Sequence, residues 1–108
     1  MAVVKRIAEA EPFEAGAGVT RRVLAHTEDM MVVQVAFAAG GVGAAHTHPH
    51  VQSTYVASGR FVYTIGEEAY TLGPGDSVVV GPNELHGTRC LEEGVLVDVF
   101  TPMRADFL

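Results

Sequence analysis

Turn-forming clusters punctuate the chain at short intervals: AGAG at 15–18, HTED at 26–29, AAGGVG at 38–43, ASG at 57–59, IGEE at 65–68, LGPGD at 72–76, GPNE at 81–84 and LEEG at 91–94. Between them lie short runs rich in Val, Tyr, Thr and Phe. Strand-length segments separated by regular Gly, Pro, Asn and Asp turns predict an all-β sandwich or barrel. The expected strands are 19–25, 31–37, 52–57, 60–65, 69–72, 77–80, 86–90 and 95–100, and residues 104–108 form either a helical turn or a docked tail. A length of 108 residues, with no repeat, low-complexity segment or linker, predicts one domain spanning 1–108.

Several strands carry apolar residues on both faces. In VLVDVF, Val95, Val97 and Val99 share one side while Leu96, Asp98 and Phe100 share the other. Coverage on both sides calls for two packed sheets plus a further contact, either a homodimer interface or overlying loops. Hydrophobic residues make up 48% of the chain and charged residues 19%, which disfavours extended disorder. The formal net charge of -6, with no cluster among the seven basic residues, argues against nucleic acid as a partner. No run approaches the ~20 apolar residues of a membrane helix, and MAVVKRIAEAE has charges where a secretory signal would be apolar. A cytoplasmic location is therefore expected. The lone Cys90 excludes an internal disulfide and a multi-cysteine zinc site, and reads as a small buried hydrophobe or, alternatively, a reactive thiol.

The chemistry concentrates in HTHPHVQ, residues 46–52. In extended chain, residues two apart point the same way, so His46 and His48 can reach one ion from a single face. Gln52 follows after Pro49 turns the chain, and the GPNELHG turn supplies His86. Three imidazoles and an amide oxygen suit one divalent transition metal, although a lone HxH is weak and the rings could instead be ordinary core or surface histidines. All four groups are neutral. They leave the full dipositive charge for an incoming anion, which favours Lewis-acid chemistry on zinc or nickel over the redox chemistry of an iron site with a carboxylate ligand; iron and manganese are the alternatives. His50 reads as a hydrogen-bonding partner behind the ligands or a residue of the pocket mouth, and His26, in HTED, as solvent exposed. Tyr55 and Tyr63 either line the pocket or fill the core, and Arg60 is a further possible anion contact.

The spacing extends beyond the histidines. Gly40, His46, His48, Gln52 and Gly59, then Gly75, Gly81, Asn83 and His86, resemble the two signature motifs of the cupin family over residues 40–59 and 75–90. That resemblance implies a double-stranded β-helix, or small jelly-roll barrel. Gln52 stands where many cupins have Glu, Gly81 where Pro is common, and Cys90 where Asn is common.

The segments HTHPHVQSTYVASGRFVYTIGEE and GVLVDVFTPMRADFL further resemble the small cupins of pectin degradation that linearise unsaturated uronates. By that resemblance His46, His48, Gln52 and His86 hold the metal, Asp98 is a catalytic acid/base, Arg104 and Gln52 contact the substrate, and the ligand is a sugar acid. Val51 and Met103 depart from that group's pattern, and Met103 bears on where Arg104 points. From periodicity alone the orientation of Asp98 is open: it lines the barrel if Leu96 and Phe100 do, and faces water if the valines fill the interior. Arg104 has a second reading as a tail anchor or dimer salt bridge. Cupins host many chemistries, so a dioxygenase, another sugar isomerase and a non-catalytic sugar-acid binder stand as rival readings.

Overall fold

The computed structural model describes residues 2–108. Its eight strands are β1 (Phe13–Gly16), β2 (Val19–His26), β3 (Met31–Phe37), β4 (Val42–His46), β5 (Val51–Ile65), β6 (Glu68–Leu72), β7 (Ser77–Val80) and β8 (His86–Thr101), with short 3₁₀ turns at Ile7–Glu9 and Ala105–Phe107. All pairings are antiparallel. The strand order is β1-β2-β3-β8-β5-β6, with β4 on β8 and β7 on β5. No helix among the described residues is long and apolar enough to cross a membrane.

Two long strands organise the barrel. β5 and β8 run side by side from Val51 opposite Thr101 to Ile65 opposite His86, with register shifts around Ser58 and Arg60. The first half of β5 and the second half of β8 lie with β7 and β3; the other halves lie with β6 and β4. The sheet thus folds over on itself where the ASG and LEEG segments cross. Gly59 has φ +83, and a methyl group on Gly94 would collide with the Ser58 carbonyl and the Gly59 Cα. Only glycine allows that close backbone approach.

These two segments were expected as turns between separate strands, and that expectation is corrected. The chain bends there without leaving its ladder, so 52–57 and 60–65 belong to one strand, as do 86–90 and 95–100. β1 and β4 were also missed. Both are short and carry glycine and alanine in place of the β-branched residues that mark strands, and partner strands hold them. His26 is the last residue of β2 and half-buried, its Nδ1 3.2 Å from the Leu24 carbonyl; it is not the exposed turn residue expected.

The core follows the period of two. Met31, Val33, Val35 and Phe37 of β3 point inward beside Leu96 and Phe100 of β8 and Val56 and Phe61 of β5. Phe37 and Phe61 meet edge-to-face at 5.2 Å. Cys90 is buried in this cluster, its thiol 3.0 Å from the Glu92 carbonyl, and burial pushes its pKa up, the opposite of what a reactive thiol needs.

Candidate metal centre and active site

The pairing of β4 with β8 sets His46 directly opposite His86. Asn83, whose φ of 60 the GPNE turn requires, donates its backbone N–H to the His48 carbonyl at 2.8 Å, tying the two histidine segments together. The ligand nitrogens of His46, His48 and His86 all lie within 4.8 Å of one another.

Hydrogen bonding orients each ring. The Nδ1 of His46 lies 2.8 Å from the Ala44 carbonyl, that of His48 3.2 Å from the His50 carbonyl, and that of His86 2.8 Å from the Glu84 carbonyl. Carbonyls only accept, so each Nδ1 bears the hydrogen and each Nε2 presents a lone pair. Into this convergence Gln52 points its amide oxygen, 2.9 Å from His48 Nε2 and 3.1 Å from His86 Nε2. Acceptors facing acceptors at such distances repel unless a cation sits among them. The donor set therefore fits a divalent transition metal. Burial also holds the His48 and His86 imidazoles below the ordinary histidine range, which keeps them neutral and able to ligate.

The remaining amide hydrogens fix which way Gln52 faces. Its Nε2 donates to Thr54 Oγ1 at 3.1 Å and lies 3.4 Å from the Tyr63 hydroxyl. Thr54, fully buried, donates its one hydroxyl hydrogen to Asp98 Oδ1 at 2.7 Å. The Tyr63 hydroxyl, 3.3 Å from Thr54 Oγ1, then serves as donor to that oxygen. Burial pushes the Tyr63 phenol up to about 12, so it keeps its proton at neutral pH. A continuous set of hydrogen bonds thus runs from Gln52, whose amide oxygen faces the histidine cluster, through Thr54 to Asp98.

Asp98 resolves the open orientation: Leu96 and Phe100 are buried and Asp98 shares their inward face, with its register partners Thr54 and Val33 on either side. Enclosure raises its pKa from 3.8 to about 6, against the opposing pull of hydrogen bonds from Thr54 and Gln52 and of the Arg104 charge.

Asp98 lines a cavity of about 250 Å³ with His46, Gln52, Tyr63, His86 and Arg104, over an apolar floor that includes Val33, Val35 and Leu96. This is below the ~300–1,000 Å³ of pockets for drug-sized ligands and suits a single sugar ring.

The tail closes this cavity. Met103 donates its N–H to the Glu28 carbonyl at 3.1 Å and accepts from His50 Nε2 at 3.1 Å, so His50 anchors the tail and takes no place among the ligands. Arg104 is 8% exposed, and its Nε and Nη2 clasp the Asp106 carboxylate at 3.0 and 2.9 Å. Tyr55 faces outward and Arg60 is exposed, paired across from Glu92 away from the cavity.

Sequence reasoning passed over Thr54 and Arg21. Thr54 lies two residues beyond Gln52 and so shares its face, a signal that was available. Arg21 lies between Val19 and Val23 on the inward side of β2 and lines the cavity, the same pattern of a charge on an apolar face that drew attention to Asp98.

Comparison with known families matches residues 33–100 to the Cupin domain. The chain is a cupin. Among similar proteins, the Pectin degradation protein KdgF of Dickeya dadantii is 45% identical over 97 residues, spanning 88% of each chain. The structure of KdgF from Halomonas sp. superimposes on this cupin with a TM-score of 0.94 at 34% identity, covering 100% of both chains. An RmlC-like cupin from Shewanella frigidimarina gives 0.93 at 32% identity, covering 100% of this chain and 97% of that one.

Proposed function

We propose that this cupin, acting as a single domain over residues 1–108, converts a 4,5-unsaturated uronate monosaccharide to the linear 5-keto-4-deoxyuronate in pectin or polyuronate catabolism. The observation that carries this reading is the direct wiring of an all-neutral ligand set to one inward-facing carboxyl in a cavity the size of one sugar ring. The KdgF name of its relatives in pectin degradation points the same way.

The reaction moves one hydrogen. Asp98 takes the proton of the C1 hydroxyl, the C1–ring-oxygen bond breaks, and an aldehyde forms at C1 while the ring oxygen leaves with the electron pair as the enolate oxygen on C5. Protonation at C4 then converts the enolate to a ketone, and Asp98 is placed to return the proton. Substrate and product are isomers, so no redox partner enters. A carboxyl with a pKa near 6 can both accept and release a proton close to neutral pH. Zinc or nickel held by His46, His48, Gln52 and His86 would supply a Lewis acid that stabilises the negative charge developing on the substrate oxygen. Arg104, with Nη1 still unengaged, turns its guanidinium towards the substrate carboxylate. The neutral Gln52 disfavours the oxygen-activating alternative.

The test compares wild type and Asp98→Asn, each loaded with zinc or nickel, by loss of ultraviolet absorbance of the unsaturated uronate above its spontaneous rate, with the product identified by NMR. Acceleration by wild type alone, at equal metal content, supports the reading; a wild-type rate equal to the spontaneous one under both metals rejects it. We also assign the protein to the cytoplasm as a homodimer. Val51, Tyr55 and Val79, exposed together on the outer face of β5 and β7, supply an apolar surface for a second copy, and sedimentation across a concentration range tests it.

A further inference from the structure

Arg21 is a cation on the cavity wall whose guanidinium is paired with no carboxylate, although Asp98 lines the same cavity, held by Thr54. Its register partners on β2's neighbours are Phe13 and Val35, both apolar. Its guanidinium carbon lies 3.7 Å from the Phe107 ring centroid and 4.6 Å from that of Phe13, contacts that engage the guanidinium faces and leave its N–H edges free. Among the described residues Arg21 makes no side-chain hydrogen bond or ion pair. The nearby carboxylate of Asp106 is committed to Arg104 through both oxygens. Arg104 itself lies 4.2 Å from the same Phe107 ring, and the two guanidinium charges repel. A chain of net charge -6 with seven basic residues has thus set two of them against one ring at the cavity wall.

Resting on the uronate reading above, we propose that Arg21 is a second carboxylate-binding residue, which joins Arg104 in holding the sugar acid and so selects uronates over neutral sugars. Aromatic stacking pre-orients the fork, and a carboxylate arriving between the two arginines relieves their repulsion while accepting from both. Arg104, already paired with Asp106, is the weaker anion contact of the two. Arg21 acts on binding and takes no part in proton transfer.

The experiment measures binding to the zinc-loaded protein of D-galacturonate, a saturated uronate that cannot undergo the reaction, and of its neutral methyl ester. Wild type, Arg21→Gln and Arg21→Lys are compared. Loss of one charge-assisted carboxylate contact predicts galacturonate binding weaker by roughly 10- to 100-fold in Arg21→Gln, with ester binding unchanged and Arg21→Lys intermediate. Equal weakening of acid and ester, as a purely structural role would produce, overturns the proposal, and so does unchanged galacturonate binding. Should Arg21→Gln fail to fold, Arg21→Lys and the wild-type response of the Arg21 Nε–H signal to galacturonate, absent with the ester, decide the same point. Turnover of unsaturated uronate is measured alongside. Absent wild-type turnover with the galacturonate effect intact removes the reaction and leaves Arg21 as an anion site; normal turnover with unchanged KM in Arg21→Gln removes Arg21 and leaves the reaction.

Discussion

Asp98→Asn is expected to abolish uronate turnover and, in the metal-free protein, to raise stability at neutral pH. In the folded protein the carboxyl sits at about 6 against an ordinary 3.8, chiefly because of burial. The folded state therefore holds this proton more tightly than the unfolded chain, and whatever stability the group contributes is present below pH 3.8 and lost as pH rises through about 6. The full difference corresponds to ~3 kcal/mol. Because the carboxyl borders a cavity that admits water, about half of that is the more realistic gain, or several degrees in Tm for a domain of this size. Asparagine keeps an oxygen to accept from Thr54 and removes the charge. The assay is urea unfolding of chelator-treated wild type and Asp98→Asn at pH 4 and pH 7.5, well either side of the folded value. The advantage of the variant should be small at the lower pH, grow between, and level off. Titrations of His48 and His86 are common to both proteins and largely cancel in the difference. An advantage that does not change with pH would refute the claim that Asp98 is an enclosed, under-compensated carboxyl. Binding zinc should shrink the advantage, since a nearby dication favours the ionised form.

Thr54→Val removes the acceptor that distinguishes the two ends of the Gln52 amide, so metal affinity measured by chelator competition should fall about 10- to 100-fold, with partial recovery in Thr54→Ser. Gln52→Glu should raise zinc affinity while lowering turnover, because the added negative charge reduces the field offered to an anionic substrate; a rise in both would contradict the Lewis-acid argument. Gly94→Ala should cost about 3 kcal/mol or more in urea unfolding, since its methyl group meets backbone that cannot move aside without opening the β5–β8 crossing.

The barrel and its histidine cluster were legible because they depend on local rules. Alternation in MVVQVAF places Met31, Val33, Val35 and Phe37 inside without reference to any other strand, and HTH puts two imidazoles on one side by the same rule. What stayed hidden depends on register between distant segments. Periodicity shows only that Asp98 shares a face with Leu96 and Phe100; that Thr54 stands directly across from it, and that Gln52 reaches the same hydroxyl, follows from the pairing of β5 with β8. The breaks at ASG and LEEG were misread for a related reason. Glycine marks both a turn and a place where two backbones must touch, and only the meeting of Gly59 with Gly94 separates the two meanings. Arg21 is the sharper case: a cation between Val19 and Val23 can be a solvated edge or a cavity wall, and the outcome depends on Phe107, at the far end of the chain, folding back beneath it. Groups that chemistry needs unpaired are the ones no local pattern accounts for, which is why a charge interrupting an apolar face, at Arg21 as at Asp98, is the signal in this chain that leads from fold to function.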